Sequence, residues 1–486
     1  SVALLSGMGC SDTTTLKDIQ PRILRLADTG EVYLPDFSYA GYKNGGPETV
    51  DGGTELVVTD YGAVANDSND DTDAFKAAIQ AASRKTGIIT IRIPNGRFIL
   101  SDYLYIERDS LRLKGGGQDE TVLYISKALS ELPLPPQMAE LQEYLVTNNK
   151  RVKPSMELFS PFSWTGGFLW IRKPDSRGLA YLKSHDVEPE YKTVRIEAAQ
   201  RGSKEVRLSQ NDSIKNLEWY AGQLIRIDWF NTQGESSELL KHVYLDSIKI
   251  GKRHWINSHR PLITQYATLL SVTSGSITIK EPLLHDVRFG WKATIAPADL
   301  LREIAIEGMS IEFPDNPYGG HHLEAGYNAI YITDTAHSRI RDIRILNADN
   351  AIMSDNAAFV TVEQIEVEGR LGHYAVHLGK TNHFLVKQLH VDAEQVHSIS
   401  FNTGCKAGVF TDIVINHSPT MDQHCGLNHQ NLFDQITLRN IAAKHDIFKH
   451  GGAGYWRPTH GAFNTFWNIS LEYDLSEVAL DTVEIG

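Results

Sequence analysis

The sequence predicts an all-β fold, a right-handed parallel β-helix in which short strands wind into a solenoid. One pattern recurs in the second half of the chain: a hydrophobic residue, two polar residues, and two further hydrophobic residues separated by one. Its copies are Ile340–Ile345, Val362–Val367, Val386–Val391, Phe410–Ile415 and Phe433–Leu438, so that successive copies lie 22, 24, 24 and 23 residues apart. Such a period is typical of solenoids, in which each unit buries its apolar face only against its neighbours. The spacing within each copy indicates strands, and Asn-Gly or Asp-Gly turns are too few for a β-sandwich.

Composition and charge restrict the classes of partner. The chain has 486 residues, of which 41% are hydrophobic and 22% charged, as in ordinary globular proteins. Its formal charge of −13 argues against nucleic acid or an anionic membrane surface as the main partner. An anionic polysaccharide is still compatible with this charge, because basic patches can exist on an acidic protein. No run of residues after the first ten is apolar enough to predict a membrane span.

Residues 1–55 are predicted to be a processing remnant followed by an N-terminal extension. The first residues are apolar and end at Cys10, which resembles a bacterial lipoprotein signal with Cys10 as the lipidated residue, although Gly7 stands where leucine is usual. We therefore expect an exported bacterial protein, located in the periplasm, in the outer membrane as a lipoprotein, or outside the cell. The remaining cysteines, Cys405 and Cys425, are too few for a disulfide framework.

Three further regions follow along the chain. Residues 56–184 should form N-terminal coils, with a capping helix near 72–84 that seals the open end of the solenoid and an irregular excursion after residue 120. Residues 185–300 contain short alternating strands separated by loops, which predicts an inserted antiparallel β subdomain. Residues 301–486 should form the C-terminal coils that carry the active groove.

The opening of the predicted solenoid contains three motifs. They are Asp60–Ala63 (DYGA), Asp70–Ala74 (DDTDA) and Ile93–Phe98 (IPNGRF). Together they resemble the opening of pectate-lyase-like right-handed parallel β-helix proteins, which implies the same fold here. The acidic run in the second motif could suggest calcium, but a cap on the helix that follows explains it better.

Histidines are concentrated in one part of the chain, since residues 370–460 contain eleven of the nineteen. Equivalent residues on successive coils stack about 4.8 Å apart. A step of 24 residues leads from His373 to His397, and a second step leads to the neighbour of Asp422. Asp422 and His424 alternate onto one strand face. We therefore expect these four side chains to crowd one outward groove within about 10 Å, which indicates a functional site.

A second set of motifs lies in the C-terminal half: Gly372–Tyr374, Val396–Ser398, Asp422–His424, His429–Phe433, Gly451–Gly452 and Thr465–Ile469. These segments resemble a family of secreted β-helix proteins of unknown function that occurs beside polysaccharide-degrading enzymes. Gln423 and Ser398 depart from the family pattern, which puts those two positions in doubt as essential groups. The resemblance implies a link to carbohydrate but carries no activity.

Three chemistries fit the candidate residues, and β-elimination of a uronate polysaccharide is preferred. Elimination needs a base, an acid and a positive charge facing the substrate carboxylate, and histidine, with a pKa near 6.5, suits the base. Hydrolysis needs two carboxyl groups about 5–9 Å apart, for which Asp392 and Asp422 are the candidates. Zinc is the third, because three histidines and an aspartate are sufficient ligands, and His373 and His377 share a strand face. The alternative without catalysis is a carbohydrate-binding or adhesion module.

Each candidate residue has a predicted role. The predicted catalytic residues are His397, His424, Asp422, His373 and Asp392. The predicted substrate-binding residues are His377, Lys380, His429, Lys449, Tyr455, Trp456, Arg457 and His460. A polysaccharide is the expected substrate, and no cofactor or metal ligand is assigned, although a divalent metal, calcium or zinc, is compatible with these groups. A lyase is favoured over a hydrolase because the groove is richer in histidine and flanking basic residues than in paired carboxylates.

Overall fold

The computed structural model describes most of the chain after residue 32. The described residues are 33–46, 52–136, 138–139, 141–143, 145–146, 158–174, 193–209, 218–244, 258–442, 444–448 and 457–474. The chain divides into two compact units, Ser1–Asp36 and Phe37–Gly486, and every element below belongs to the second. Cys10, Lys449, Tyr455 and Trp456, which the sequence singled out, lie outside the described residues. In the part of the chain that the structure describes, no helix is long and apolar enough to cross a membrane.

Strands are the main regular secondary structure of the described residues. The N-terminal coils contain β1 (Thr54–Val57), β2 (Ile89–Arg92), β3 (Gly96–Leu100), β4 (Leu104–Ile106), β5 (Leu111–Lys114), β6 (Thr121–Ile125) and β7 (Leu169–Ile171). The inserted region contains β8 (Val194–Arg195), β9 (Glu205–Arg207), β10 (Leu224–Phe230), β11 (Pro261–Val272), β12 (Ser276–Ile279) and β13 (Lys292–Pro297). The C-terminal coils contain β14 (Leu301–Arg302), β15 (Ala305–Glu312), β16 (Asn328–Leu346), β17 (Asn350–Glu368), β18 (Gly372–Gly379), β19 (Leu385–Val391), β20 (Gln395–Asn402), β21 (Val409–Ile415), β22 (Met421–His424), β23 (Leu432–Ile441) and β24 (Thr465–Tyr473). Among the described residues, the α-helices include α1 (Thr72–Ser83) and α2 (Glu238–Tyr244), and residues 136, 138–139, 141–143 and 145–146 are also helical.

Parallel strands stack into two long faces, which confirms the predicted parallel β-helix. Face A consists of β4, β7, the first halves of β16 and β17, and then β18, β20 and β22. Face B consists of β1, β2, β5, β15, the second halves of β16 and β17, and then β19, β21, β23 and β24. Strand β6 pairs in parallel with the second half of β15, and β3 pairs with β6. On face B, Val362 pairs with Val386 and Val386 with Phe410, so these coils step by 24 residues as the repeat predicts.

A residue in the left-handed backbone region explains the two adjacent polar positions in each repeat. The second polar residue of every copy has a positive φ: Asp342 54°, Gln364 55°, Gln388 53°, Asp412 54° and Gln435 52°. The strand ladder skips this residue and continues on both sides of it. The hydrophobic residues flanking it therefore both point into the core, and Val386 and Leu389 are 0% and 1% exposed. A strictly alternating strand would expose one of the two.

Helix α1 caps the N-terminal end, as predicted for residues 72–84. Its apolar face is centred on Phe75, which is 1% exposed. The acidic run before the helix is occupied by backbone groups, since the Asp71 carboxylate accepts hydrogen bonds from the N–H groups of Val64 and Ile99 at 2.8 and 3.1 Å. Asp70 accepts another at 2.9 Å from the first residue of the helix. These bonds attach the cap to the first coil and favour the capping interpretation over calcium.

The inserted region forms a separate antiparallel sheet, in the order β8-β13-β10-β11-β12-β9, which confirms the predicted inserted subdomain. Its predicted start at residue 185 lies outside the described residues. The sheet packs on a short third side of the solenoid, where isolated parallel bridges join Asn382, Lys406 and His429. There the Lys406 ammonium donates to the carbonyl of Thr264 at 2.9 Å. The third side of the solenoid is thus buried beneath the insert.

Candidate functional site

Three strands of face A bring the predicted histidines together. His373 lies on β18, His397 on β20, and Asp422 and His424 on β22. The ring centroids of His373 and His397 are 5.4 Å apart, and those of His397 and His424 are 5.0 Å apart. Neighbouring strands are about 4.8 Å apart, so the stacking of coils alone places these rings side by side.

The predicted alignment of these residues in 24-residue steps is wrong on face A. His397 pairs with Tyr374 and not with His373, and Asp422 pairs with Ser400. The coils therefore step by 23 and then 22 residues on this face, because the turns between the faces differ in length. The residues still converge, since their side chains reach along the face as well as across it.

Asp422 joins two of the imidazoles, and we refer to His397, Asp422 and His424 as the Asp422 triad. Its Oδ2 lies 3.5 Å from Nδ1 of His397, contacts Nδ1 of His424, and accepts a hydrogen bond from the Ser400 hydroxyl at 3.0 Å. The other oxygen, Oδ1, is buried and has no hydrogen-bond partner among the residues that the structure describes. A carboxylate on Nδ1 favours the tautomer that leaves Nε2 of an imidazole free to take a proton.

His377, predicted to bind substrate, is connected to this triad through the hydroxyl of Ser400. Its Nδ1 lies 3.3 Å from the Ser400 hydroxyl, which in turn donates to Asp422. Burial lowers the pKa of His377 well below its ordinary value, so the ring is neutral and donates its Nδ1 proton to Ser400. His377 is therefore a hydrogen-bonding member of the network, and at 3% exposure it does not reach the surface.

The loop between β15 and β16, residues 313–327, adds two histidines that the sequence analysis missed. The ring of His321 lies 4.8 Å from that of His373 and 5.2 Å from that of His397. The ring of His322 lies 3.7 Å from that of His321 and 5.5 Å from that of His373. We refer to His321, His322 and His373 as the His373 triad, and to both triads together as the groove cluster.

Glu324 anchors this loop to the strands. Its Oε1 lies 2.9 Å from Nδ1 of His373 and accepts a hydrogen bond from the Tyr318 hydroxyl at 2.7 Å. Its Oε2 accepts a hydrogen bond from the Ser163 hydroxyl. Burial and the negative charge of Glu324 raise the pKa of Tyr318 above its ordinary value, so the phenol keeps the proton that it donates. Glu324 therefore fixes the position of His373 as well as the path of the loop.

A signal for the missed histidines was present in the sequence. Gly320, His321 and His322 form a Gly-His-His segment, which is similar to the Gly-His-Tyr of Gly372–Tyr374 that the sequence singled out. The loop has no repeat of its own, so no periodicity connects it with residues 370–460. Only its contact with face A shows that it belongs to the site.

The groove cluster is more buried than predicted. His373 and His397 are 0% and 2% exposed and Asp422 is 2% exposed, because the loop of residues 313–327 covers the face that the sequence analysis expected to be open. Solvent reaches the cluster at His321, which is exposed, and at His424, whose side chain is 17% exposed. A substrate would therefore meet these two imidazoles first.

Aromatic residues close the cluster on the side of His322. The ring of His322 lies 4.6 Å from that of Phe159 and 4.8 Å from that of Trp164. Burial, with a smaller contribution from neighbouring His321, lowers the pKa of His322 to about 4. The imidazole is therefore neutral at physiological pH.

The remaining predicted residues that the structure describes do not lie in the groove cluster. Asp392 is exposed in the turn after β19, where it accepts a hydrogen bond from Asn416 at 3.0 Å. His429 is 1% exposed and lies against the inserted sheet. Lys380 directly follows β18. His460 forms an isolated parallel bridge with Asn428, and Arg457 is exposed shortly before it in the chain. The hydrolytic pair of Asp392 and Asp422 is thus not assembled, since one is exposed in a turn and the other buried on β22.

Residues 56–140 match a family described as rhamnogalacturonase A/epimerase, pectate lyase-like. This match confirms the resemblance to pectate-lyase-like β-helix proteins that the opening motifs predicted. The resemblance of the C-terminal half to a family of unknown function stays a prediction. No curated protein matches the chain at a significant level.

Several solved structures are similar to the chain. The tailspike gp61 of Pseudomonas phage phi297 is 11% identical, with a TM-score of 0.46 over 87% of this chain and 64% of the tailspike. The tailspike gp49 of Pseudomonas phage LKA1 is 10% identical, with a TM-score of 0.47 over 86% and 64%. An exopolygalacturonase of Thermotoga maritima is 9% identical, with a TM-score of 0.33 over 88% and 77%. The chain thus spans less than two thirds of the length of either tailspike, and no activity transfers at these levels of similarity.

Proposed function

We propose that the protein is a carbohydrate-active enzyme that cleaves an anionic polysaccharide by β-elimination. The observation that carries this proposal is the pairing of His424 with Asp422 at the point where solvent meets the buried groove cluster. An imidazole whose Nδ1 is held by a carboxylate is oriented to act as a general base through Nε2. The description of the family matched at residues 56–140 supports a carbohydrate-active protein on this fold.

The proposed reaction uses His424 for both proton transfers. Nε2 removes the proton from C5 of a uronate residue, and the electron pair left on that carbon forms the C4–C5 double bond as the bond from C4 to the glycosidic oxygen breaks. The imidazolium is then the nearest acid for the leaving oxygen, so the proton passes from C5 to the new chain end. Asp422 stabilises the imidazolium while it exists, and the Ser400 hydroxyl holds Asp422 in place.

Hydrolysis is the alternative, and the geometry supports it less. A hydrolase of the usual kind needs two carboxyl groups facing one glycosidic bond. The two aspartates predicted for that task, Asp392 and Asp422, are not assembled, and Glu324 is buried and engaged by Tyr318 and Ser163. A site with more imidazoles than unengaged carboxylates favours removal of a carbon-bound proton.

A panel of anionic polysaccharides, incubated with the purified chain, tests this proposal. We expect a rise in the ultraviolet absorbance of unsaturated uronate together with shorter chains. New reducing ends without that absorbance would identify a hydrolase and overturn elimination. A changed uronate configuration without cleavage would identify an epimerase, and binding without any change would identify a carbohydrate-binding module.

A pair of variants makes the assay specific for the site. His424→Ala should lose the product, whereas His417→Ala should keep it, because His417 is exposed after β21 and faces Asp392 instead of the groove cluster. Equal activity in both variants would remove His424 from the mechanism.

A further inference from the structure

The His373 triad brings three imidazoles together from two parts of the chain. His321 and His322 come from the loop of residues 313–327 and His373 from β18, and one ring nitrogen of each lies within 4.8 Å of the others. Nitrogen ligands of a tetrahedral zinc ion, at 2.0–2.1 Å from the metal, are about 3.3 Å apart. The three nitrogens therefore need to approach one another by about an ångström to share one zinc ion.

Glu324 provides a second, independent observation. Its carboxylate lies 2.9 Å from Nδ1 of His373, and both side chains are fully buried. A carboxylate on one nitrogen of a metal-binding histidine fixes the tautomer and directs the other nitrogen to the metal, an arrangement found in most histidine metal sites. Glu324 thus leaves Nε2 of His373 as the nitrogen that can bind an ion.

We propose that His321, His322 and His373 bind a divalent transition metal ion, and that zinc fits the site best. Three neutral imidazoles with a fourth position left to water or substrate are a typical catalytic zinc set. Calcium prefers six to eight oxygen ligands, and the nearest carboxylate, Glu324, is already bound by Tyr318 and Ser163. The ligand set therefore selects a transition metal rather than calcium.

The Asp422 triad is the competing position, and its carboxylate argues against it. Oδ2 of Asp422 already accepts from Ser400 and faces Nδ1 of both His397 and His424. A metal bound through these two nitrogens would require both to be without protons, whereas the proposed proton transfer uses a proton on Nδ1 of His424 that faces Asp422. The two triads therefore divide the groove cluster into a metal-binding part and a proton-transfer part.

The role of this metal rests on the proposed elimination. That reaction needs a positive charge against the substrate carboxylate to lower the pKa of the C5 proton. Arg370, the arginine closest in sequence to His373, is buried and paired with Asp349 at 2.8 Å, and the predicted basic residue Lys380 lies at the far end of β18. A metal in the His373 triad, beside His397 and His424, would supply that charge.

Metal binding by the purified chain, freed of metal with a chelator, tests the site without using activity. We expect about one equivalent of Zn²⁺ per chain by calorimetry, and Co²⁺ in its place should give the intense visible absorption of a tetrahedral site. His321→Ala should lower the affinity by about 100-fold or more, beyond the 10- to 100-fold typical of residues that only orient a ligand. His321 is exposed, so this variant leaves no cavity and should fold.

Three further variants locate the ion. His322→Ala should also lose the metal, whereas His424→Ala and the surface control His417→Ala should retain it. Retention of the metal by both loop variants, or its loss in His424→Ala alone, would overturn the assignment in favour of the Asp422 triad. If the native chain binds Zn²⁺ no more tightly than the His321→Ala variant does, the proposed site is refuted.

The same samples separate this inference from the proposed function. Metal binding that depends on His321 and His322, without cleavage of any polysaccharide, would support the site and refute the enzyme. Elimination that proceeds equally after chelation, and equally in His321→Ala, would support the enzyme and refute the role of the metal. We expect elimination to be lost in His321→Ala and in chelated protein. Adding Zn²⁺ should restore it to the chelated protein.

Discussion

Among the residues that the structure describes, histidines contact one another in the groove cluster and in a second region, and their partners differ. In the groove cluster two carboxylates, Glu324 and Asp422, face imidazole nitrogens, and solvent reaches the edge of the cluster. The other region, which we call the docking cluster, comprises His242, His285 and His429 where the inserted sheet meets the solenoid. Its rings lie against Trp229, Trp291 and one another, with ring centroids 4.9–5.6 Å apart. One region has the partners that the proposed proton transfer and metal binding require, and the other fills a contact between subdomains.

The docking cluster depends on uncharged imidazoles. Nδ1 of His429 donates to the carbonyl of Leu427 at 2.6 Å, and its Nε2 lies 2.8 Å from Nε2 of His285. With Nδ1 donating, Nε2 of His429 can accept a hydrogen bond from Nε2 of His285 only while the His429 ring is neutral. Burial is the largest cause that lowers the pKa of His285 and of His429, and the pKa of His429 is about 3. The comparison shows that histidine density marks both regions, and that only the partners distinguish them.

The largest expected effect is the loss of turnover in His424→Ala. Removing a general acid or base lowers the rate by about 10²- to 10⁴-fold, and the protein should still fold because the side chain reaches solvent. The measurement is the initial rate of unsaturated product formation with a substrate found in the polysaccharide panel. His429→Ala is the matched variant from the docking cluster and should keep its turnover while unfolding at a lower temperature. A rate loss of the same size in His429→Ala would break the comparison.

His397→Ala does not give the same clean test as His424→Ala. The side chain is 2% exposed, so its removal leaves a cavity and takes one partner from buried Asp422. Both effects destabilise the fold, whereas the outward position predicted from the sequence would have left no cavity. Activity in this variant should therefore be measured together with its unfolding curve.

Acid should weaken the docking cluster. The pKa of His242 is about 4 and that of His429 about 3, against an ordinary value of 6.5. Between those pKa values the unfolded chain binds more protons than the folded one. The stability that the folded state gains from these neutral histidines is therefore full above about pH 6.5 and is lost as the pH falls toward 4. The charged groups that act on His242 and His285 are Arg201, Arg288, Lys406 and Asp286.

Thermal unfolding followed at decreasing pH measures this effect. At pH values below about 6.5 the unfolding temperature should decrease. Hydrogen exchange should then show that β10–β13 open before the coils of face B. His429→Gln, which cannot titrate, should show a smaller slope with pH. A slope identical to that of the native chain would place the acid sensitivity elsewhere.

The smallest expected effect concerns one hydrogen bond between the insert and the solenoid. The Tyr266 hydroxyl donates to Asn356 Oδ1 at 2.7 Å, and Tyr266 is 2% exposed. Tyr266→Phe should lower the free energy of unfolding by about 1 kcal/mol, measured by denaturant titration. Tyr220→Phe is the control, because Tyr220 is 56% exposed on the same subdomain and its replacement should have no measurable effect. A loss of equal size in both would show that the contact does not stabilise docking.

The sequence by itself determined the fold and the neighbourhood of the site. The repeat from Ile340 to Leu438 records the stacking of face B, since each coil must present its hydrophobic residues at the same positions to bury them. The approach of His373, His397 and His424 follows from the same stacking, because residues about one period apart lie on neighbouring strands. These are local properties of a repeating chain, and a pattern is sufficient to reveal them.

Only the tertiary structure decided which of these histidines are functional candidates. The register of face A depends on turn lengths that no repeat fixes, and the loop carrying His321, His322 and Glu324 has no period, so its place over face A follows from packing alone. The burial of His429 likewise depends on where the inserted sheet docks. Partners distant in sequence determine the charge and exposure of a side chain, and for that reason its chemistry could not be predicted from its own position.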